Sequence, residues 1–251
     1  MEMVRVRVGD LGKNKSRGAG SNRGFMNILD ELKVHNIDEE QVMRRQGYRG
    51  ELKALQSELK DIMTQEMEEA RSLFNPRAVY TELVVVETFG DEIRLSNDLV
   101  IRVGSALKFW IGLEYLAVAL CTIGPELEER VGNLFSQDEY PSALMLDSIG
   151  SVAADSVADQ INYLICDKAA RAGMMTGPRL SPGYGTWELK EQAELFSLLP
   201  AQSICIQLTE SYIMIPEKSV SFCVGMGHKL STRAASYRCR HCGQPHCQHR
   251  T

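Results

Sequence analysis

No apolar run in this 251-residue sequence reaches the ~18 residues that a membrane helix needs. The nearest candidate, residues 109–124, is interrupted by Glu114, so no membrane span is expected. The N-terminus lacks an apolar core segment, so no signal peptide is expected either. Positive charge is not in excess. A net charge of −5 gives no reason to expect a nucleic-acid partner. There is no internal repeat, no Ser-His-Asp or Cys-His order of a recognisable kind, and no evident general base. The glycine-rich, basic stretch 9–24 has no Gly-Lys-Ser/Thr at phosphate-loop spacing and reads as flexible. Cysteine is neither scarce nor paired. The count is seven, odd and unevenly spread, in a chain long enough to fold without staples. That pattern points to a reducing cytoplasm, with thiols or metal ligands rather than disulfides.

What is present is patterned for an α+β fold. Asp38 opens a short helix over 38–46. From Glu51 to Phe74, apolar residues recur at three- and four-residue spacings, which predicts a long amphipathic helix stopped before Pro76. Residues 79–103 change to strand character, split by a Ser96-Asn97-Asp98 turn, and Leu113–Thr122 reads as a buried strand. Gly124-Pro125 starts another helix, with Glu126, Glu128 and Glu129 near its positive end. The helix over 141–172 is rich in Ala, Gly and Ser, so a neighbour can approach it closely. Ile204–Thr209 and Ser219–Val224 read as strands of one sheet. Helices separated by antiparallel-looking strands indicate α+β rather than a doubly wound sheet.

The richest stretch is 178–188, Pro-Arg-Leu-Ser-Pro-Gly-Tyr-Gly-Thr-Trp-Glu. Arg179 offers a planar fork of donors that matches a carboxylate. Pro182-Gly183 makes a turn, and glycine lets a ligand approach the backbone. Tyr184 follows with a ring face and a hydroxyl. These residues suit a small zwitterion or anion; a surface turn with a salt-bridged arginine is the alternative. Asp155 and Asp159 lie four apart and share a helix face, so either could meet an ammonium.

The C-terminal region has its own chemistry. Cys239-x-x-Cys242-x4-Cys247 is interleaved with His241, His246 and His249. Zinc would take Cys239, Cys242 and Cys247 with a histidine, for which we choose His249. An iron–sulfur cluster is the alternative, with its fourth position filled by Cys223 or a partner. A basic, redox-sensitive tail without metal is the third possibility. Cys121, Cys166 and Cys205 sit among apolar residues and are expected to be buried core thiols.

Several short motifs stand in one order from about Gly47 to Gly227. Arg45-Gln46-Gly47-Tyr48-Arg49-Gly50 is followed by Asn75-Pro76-Arg77-Ala78-Val79. Cys121-Thr122-Ile123-Gly124-Pro125-Glu126-Leu127-Glu128 and Asp147-Ser148-Ile149-Gly150-Ser151 come next. Arg179-x-x-Pro182-Gly183-Tyr184, Leu208-Thr209-Glu210-Ser211 and Pro216-x-Lys218-Ser219-Val220-Ser221 complete the series. The set resembles the activation domain of cobalamin-dependent methionine synthase, in its small free-standing form. The resemblance implies a twisted antiparallel sheet with flanking helices. It implies S-adenosylmethionine as ligand, held by Arg179, Pro182, Gly183 and Tyr184. Asp159, in Ala158-Asp159-Gln160-Ile161, stands where the family carries an acidic contact, often Glu, and Asp155 is the second candidate. Glu210 would touch the ligand or line the cobalamin face.

The resemblance further implies an accessory subunit that supports reductive methylation of a corrinoid. The cobalamin would be carried by a partner methyltransferase or methionine synthase module, because this chain has no Asp-x-His-x-x-Gly segment and no folate or homocysteine domain. Flavodoxin or ferredoxin is the kind of electron donor implied. The methionine synthase domain lacks the Cys/His tail. Other classes remain open: an iron–sulfur electron-transfer protein, or a zinc-folded scaffold for a corrinoid protein. The expected division is a flexible and helical N-terminal extension over 1–46, the activation-like domain over 47–230, and the metal-binding tail over 231–251.

Overall fold

The computed structural model describes residues 7–8, 26–29, 31–34, 37–50 and 56–231. The basic stretch 9–24, the first residues of the Glu51–Phe74 helix, and Cys239, Cys242, Cys247 and His249 of the tail lie outside the described residues. No helix among the described residues is long and apolar enough to cross a membrane.

An antiparallel sheet organises the chain. Its order is β1 (Arg7–Val8), β2 (Met26–Leu29), β3 (Arg77–Phe89), β6 (Tyr115–Thr122), β10 (Ser219–Gly227) and β7 (Met175–Thr176). The long strand β3 serves two pairings. Its first part lies between β2 and β6; a register shift between Val85 and Glu87 turns its outer part onto β4 (Glu92–Leu95), which pairs with β5 (Val100–Arg102). Such a bulge bends a strand and sharpens its twist. The fold is therefore α+β with a curled antiparallel sheet.

Both faces of the central strands are covered, so β6 is a continuous apolar run rather than an alternating one. Alternation still sorts its residues. Ala117, Ala119 and Cys121 face one core, and Leu116, Val118 and Leu120 face the other. The small residues lie under α4 (Tyr140–Arg171), whose own buried face includes Ala143, Gly150, Ala153, Ala154 and Ala158. Small against small lets this helix sit close to the sheet. On the same side pack α1 (Glu39–Arg45), α2 (Ser57–Leu73) and α3 (Glu126–Ser136). Asp38 caps α1, its Oδ1 accepting from the amides of Glu40 and Gln41 at 2.9 and 3.3 Å. A Cβ at Gly150 would stand 2.5 Å from Cδ2 of Leu127, so a larger residue there would force the buried Leu127 side chain or a helix to shift. Leu29 on β2, with Val42 and Met43 on α1, is buried in this same core. The other face is covered by α5 (Gln192–Leu198) and the loops carrying Trp110 and Trp187.

Three expectations are corrected. Ile204–Thr209 does not join the main sheet. Residues Ala201–Ile204 form a 3₁₀ turn after Pro200, and Cys205 takes a left-handed conformation (φ 59°) that breaks the extended run. Only Gln207–Leu208, named β8, is a strand, and it pairs with β9 (Met214–Ile215) in a separate hairpin. Cys205 is exposed, beside Arg77, because the turn carries it out of the core. Cys166 is half-buried on α4, its sulfur 3.3 Å from the Thr176 hydroxyl. Cys121 is fully buried as expected.

Candidate functional site

The site begins with one backbone bridge. Leu180 pairs with Cys223 of β10, amide to carbonyl in both directions at 3.0 and 2.8 Å. Strand alternation then sends neighbouring side chains to opposite faces. Leu180 enters the second core, and Arg179 emerges on the α4 side. Its guanidinium carbon lies 5.4 Å from the centre of the Phe222 ring, a cation–π distance that seats the head over the ring.

Four charged groups form a row at this point. Arg179 Nη2 is 3.3 Å from Asp159 Oδ1 and 3.9 Å from Asp155 Oδ1. Asp155 Oδ2 accepts a short bond, 2.6 Å, from Arg45 Nη2 at the end of α1. The four-residue spacing on α4 puts both carboxylates on one face, and the alternation Arg45–Asp155–Arg179–Asp159 balances them. Exposure separates the two acids. The Asp155 side chain is 38 % exposed and tied to Arg45; that of Asp159 is 71 % exposed. Beneath the row, burial pushes the Cys121 thiol up to about 12, with Arg179 pulling it weakly the other way. That thiol stays protonated and unreactive at neutral pH.

The loop after Arg179 is fixed from below. Pro182 is buried; Gly183 (φ 93°) and Gly185 (φ 60°) make the backbone turn in a region that favours glycine. The Gly183 amide donates to Trp187 at 2.8 Å, and the Trp187 amide to Tyr184 at 3.0 Å. Trp187 is buried edge-on against Trp110, with ring centres 6.2 Å apart, and Trp110 Nε1 donates to the Pro178 carbonyl at 3.1 Å. Ser105 and Thr186 exchange bonds, the Ser105 amide to the Thr186 hydroxyl and the Thr186 amide to the Ser105 hydroxyl. Tyr184 is left on top, half-exposed. The loop is thus a rigid platform with an aromatic ring and exposed backbone beside a cation.

Arg179, Asp159 and Asp155 are brought together, with Pro182, Gly183 and Tyr184 on the adjoining turn. Glu210 is not. It sits in the exposed turn of the β8–β9 hairpin, whose Met214 packs on the second core and whose Tyr212 carbonyl accepts from Gln192 of α5. That is the face of the sheet opposite Arg179. Arg45 and the two tryptophans are supports that sequence reasoning did not single out as site residues. The remaining motifs become joints around α4. Lys218 Nζ bonds Asp147 at 2.6 Å and Ser151 at 3.0 Å. The Gln46 amide group donates to the Leu144 carbonyl and the Ser148 hydroxyl. The Asn75 backbone amide donates to the Ile123 carbonyl at 2.7 Å.

Residues 96–244 match the family model described as vitamin B12 dependent methionine synthase, activation domain. The chain belongs to that activation-domain family. Among solved structures it is similar to the MetH reactivation domain, crystallised with AdoHcy bound, at a TM-score of 0.64 and 15 % identity. That likeness covers 85 % of this chain and 82 % of the other, and it shows a shared fold. No curated protein matches the chain. The family match spans Asp155, Asp159 and the whole Arg179–Trp187 loop, while Arg45 of the row lies before it.

Proposed function

We propose that the chain binds S-adenosylmethionine at the Arg179–Asp159 row and presents it to a corrinoid carried by a partner methyltransferase or methionine synthase module. The observation that supports this most is the pairing of a cation and an exposed carboxylate at 3.3 Å beside a glycine turn. An amino-acid zwitterion fits such a pair by exchange. Its carboxylate takes the Arg179 fork, and its ammonium takes the released Asp159. Asp155 remains between Arg45 and Arg179. Tyr184 and the backbone of residues 180–185 lie where the remainder of the ligand extends.

S-adenosylmethionine supplies an electrophilic methyl group, for which a reduced corrinoid is the acceptor. The residues of this chain bind and orient; none needs to act as a base. The contribution is positional: a methyl group held on a rigid platform meets its acceptor with little further loss of freedom. The MetH relative was crystallised with AdoHcy, the compound left after that methyl departs, and this supports the same ligand class here. A flavodoxin- or ferredoxin-type donor would supply the electron that returns the corrinoid to its reduced state. The relevant test is calorimetry with S-adenosylmethionine. Arg179→Ala should weaken binding by roughly 100-fold, the worth of a desolvated charge-assisted pair. Equal affinity for mutant and wild type would refute the assignment.

We further propose that Cys239, Cys242, Cys247 and His249 bind one metal centre, with zinc favoured over an iron–sulfur cluster. The support is the donor set, three thiolates with imidazole nearby, which zinc accepts together. Elemental analysis of anaerobically prepared protein should find close to one zinc per chain. A broad absorption near 400 nm with iron would assign the cluster instead, and neither metal would refute the centre.

A further inference from the structure

The last described residue, Ser231, does not leave the domain at a neutral place. Its amide donates to the Ile111 carbonyl at 2.8 Å in an antiparallel bridge. Ile111 is half-exposed and lines a cleft of about 500 Å³, together with Asp91, Ser105, Leu107, Lys108 and Thr186. Two facts mark this cleft. Thr186 also ends the Arg179–Thr186 loop, through its exchange of bonds with Ser105. Asp91, in the lining, belongs to a cluster of acids that adjoins the cleft. Arg102 alone serves Glu92 (2.9 Å) and Asp91 (3.8 Å) through its side chain, and Glu194 through its backbone amide at 3.3 Å. Glu191 stands beside Glu194. Four carboxylates thus gather around Arg102, Glu191 among them buried, with Lys108 in the cleft and Lys190 beside Glu191 as the other cations. Burial, and next the Glu191 carboxylate, pushes Glu194 up to about 7, the response of an acid in want of a counter-charge.

The segment that continues from Ser231 has the opposite character. Residues 232–251 contain four arginines (Arg233, Arg238, Arg240 and Arg250) and no Asp or Glu. Arg238 is seven residues beyond Ser231, a span of up to about 23 Å when extended. Asp91 lines the same cleft as Ile111, from which the segment departs, so reach is not limiting.

We propose that the cleft is the docking site of this chain's own C-terminal segment, residues 232–251, with Arg233, Arg238 and Arg240 on the adjoining acids Asp91, Glu92 and Glu194. Docking there carries the Cys239–Cys247 cluster to the back of the Arg179 loop. The tail then becomes a support for the ligand platform and a route by which metal occupancy bears on it. This holds whether or not the ligand is S-adenosylmethionine, because it rests on the cleft, the exit point and the charges alone.

The test is amide hydrogen exchange by mass spectrometry on the full chain. Reversing the tail charges (R233E with R238E and R240E) should speed exchange over residues 105–111 by about 3- to 30-fold, as expected for three partly exposed ion pairs acting together. Asp91→Lys should do the same from the domain side, and combining it with the tail reversal should restore protection. High salt should mimic the reversal. Unchanged exchange over 105–111 in both variants would overturn the proposal. So would protection that rises with protein concentration, since the occupant would then be the tail of a second copy.

Discussion

Asp159 and Asp155 look equivalent on the helix, and the structure predicts that they behave oppositely. Consider Asp159→Asn. The Arg179–Asp159 contact is 3.3 Å long, and the Asp159 side chain is 71 % exposed. An exposed pair of that kind contributes at most about 1 kcal/mol to stability. Losing it should shift Tm by no more than roughly 2–4 °C in a domain of this size. Binding is a different matter, because the ligand's ammonium would lose its anion inside a contact shielded by the ligand itself. A charge-assisted bond is worth about 1.5–3 kcal/mol, so affinity should fall roughly 10- to 100-fold. Asp155→Asn should show the reverse balance. Asp155 sits between Arg45 at 2.6 Å and Arg179 at 3.9 Å. Removing its charge leaves two guanidinium groups facing each other and frees the end of α1. A loss of about 1–2 kcal/mol should lower Tm by several degrees, with the smaller effect on affinity. Thermal melts and calorimetry on the same two preparations decide it. If Asp155→Asn hurts affinity more and Asp159→Asn melts earlier, the ammonium partner lies one helical turn away and the reading of the row is wrong.

Gly150→Ala should destabilise by about 1–3 kcal/mol in urea titration, because the new methyl would stand 2.5 Å from the buried Leu127 side chain; an unchanged midpoint would mean that α3 can slide. Glu194 gives a pH signature. Its folded pKa is raised from 4.5 to about 7 by burial and then by Glu191, so between those values the folded state keeps a proton that the unfolded state has lost. Stability should therefore fall as pH rises through that window. Glu194→Gln should flatten the dependence, and an identical pH profile of Tm for mutant and wild type would show that the carboxyl is not held this way.

The elements were legible where local chemistry settles them. Asp38, Pro76 and the Gly124-Pro125 pair act through caps and missing amides, within a few residues of themselves, and the helices start or stop there as expected. The misreading of Ile204–Thr209 has the same scale. A run of β-favouring residues was overridden by the single left-handed residue Cys205, a conformation to which a non-glycine residue gives no local cue. The site was legible in its parts but not in its wiring. Arg179 and the glycine turn announce themselves. That Asp155 is already engaged by Arg45, 110 residues earlier, depends on α1 packing over α4, and no spacing rule reaches that far.

The same distance explains Glu210. The resemblance puts it at the ligand or the cobalamin face, and no spacing along the chain says on which side of the sheet it falls. The sheet separates them, because alternation about the Leu180–Cys223 bridge sends Arg179 to one face while the hairpin packs on the other. The order of short motifs along the chain is still informative, for a physical reason. Residues such as Lys218, Asp147, Ser151, Gln46 and Ser148 are partners of one another around α4. Each motif supplies half of a joint, so a chain that keeps several in sequence has kept the frame that places the arginine beside its two carboxylates. The outer acid of the row, Asp159, is not among those joints: its ion pair among the described residues is with Arg179 alone, and it is 71 % exposed.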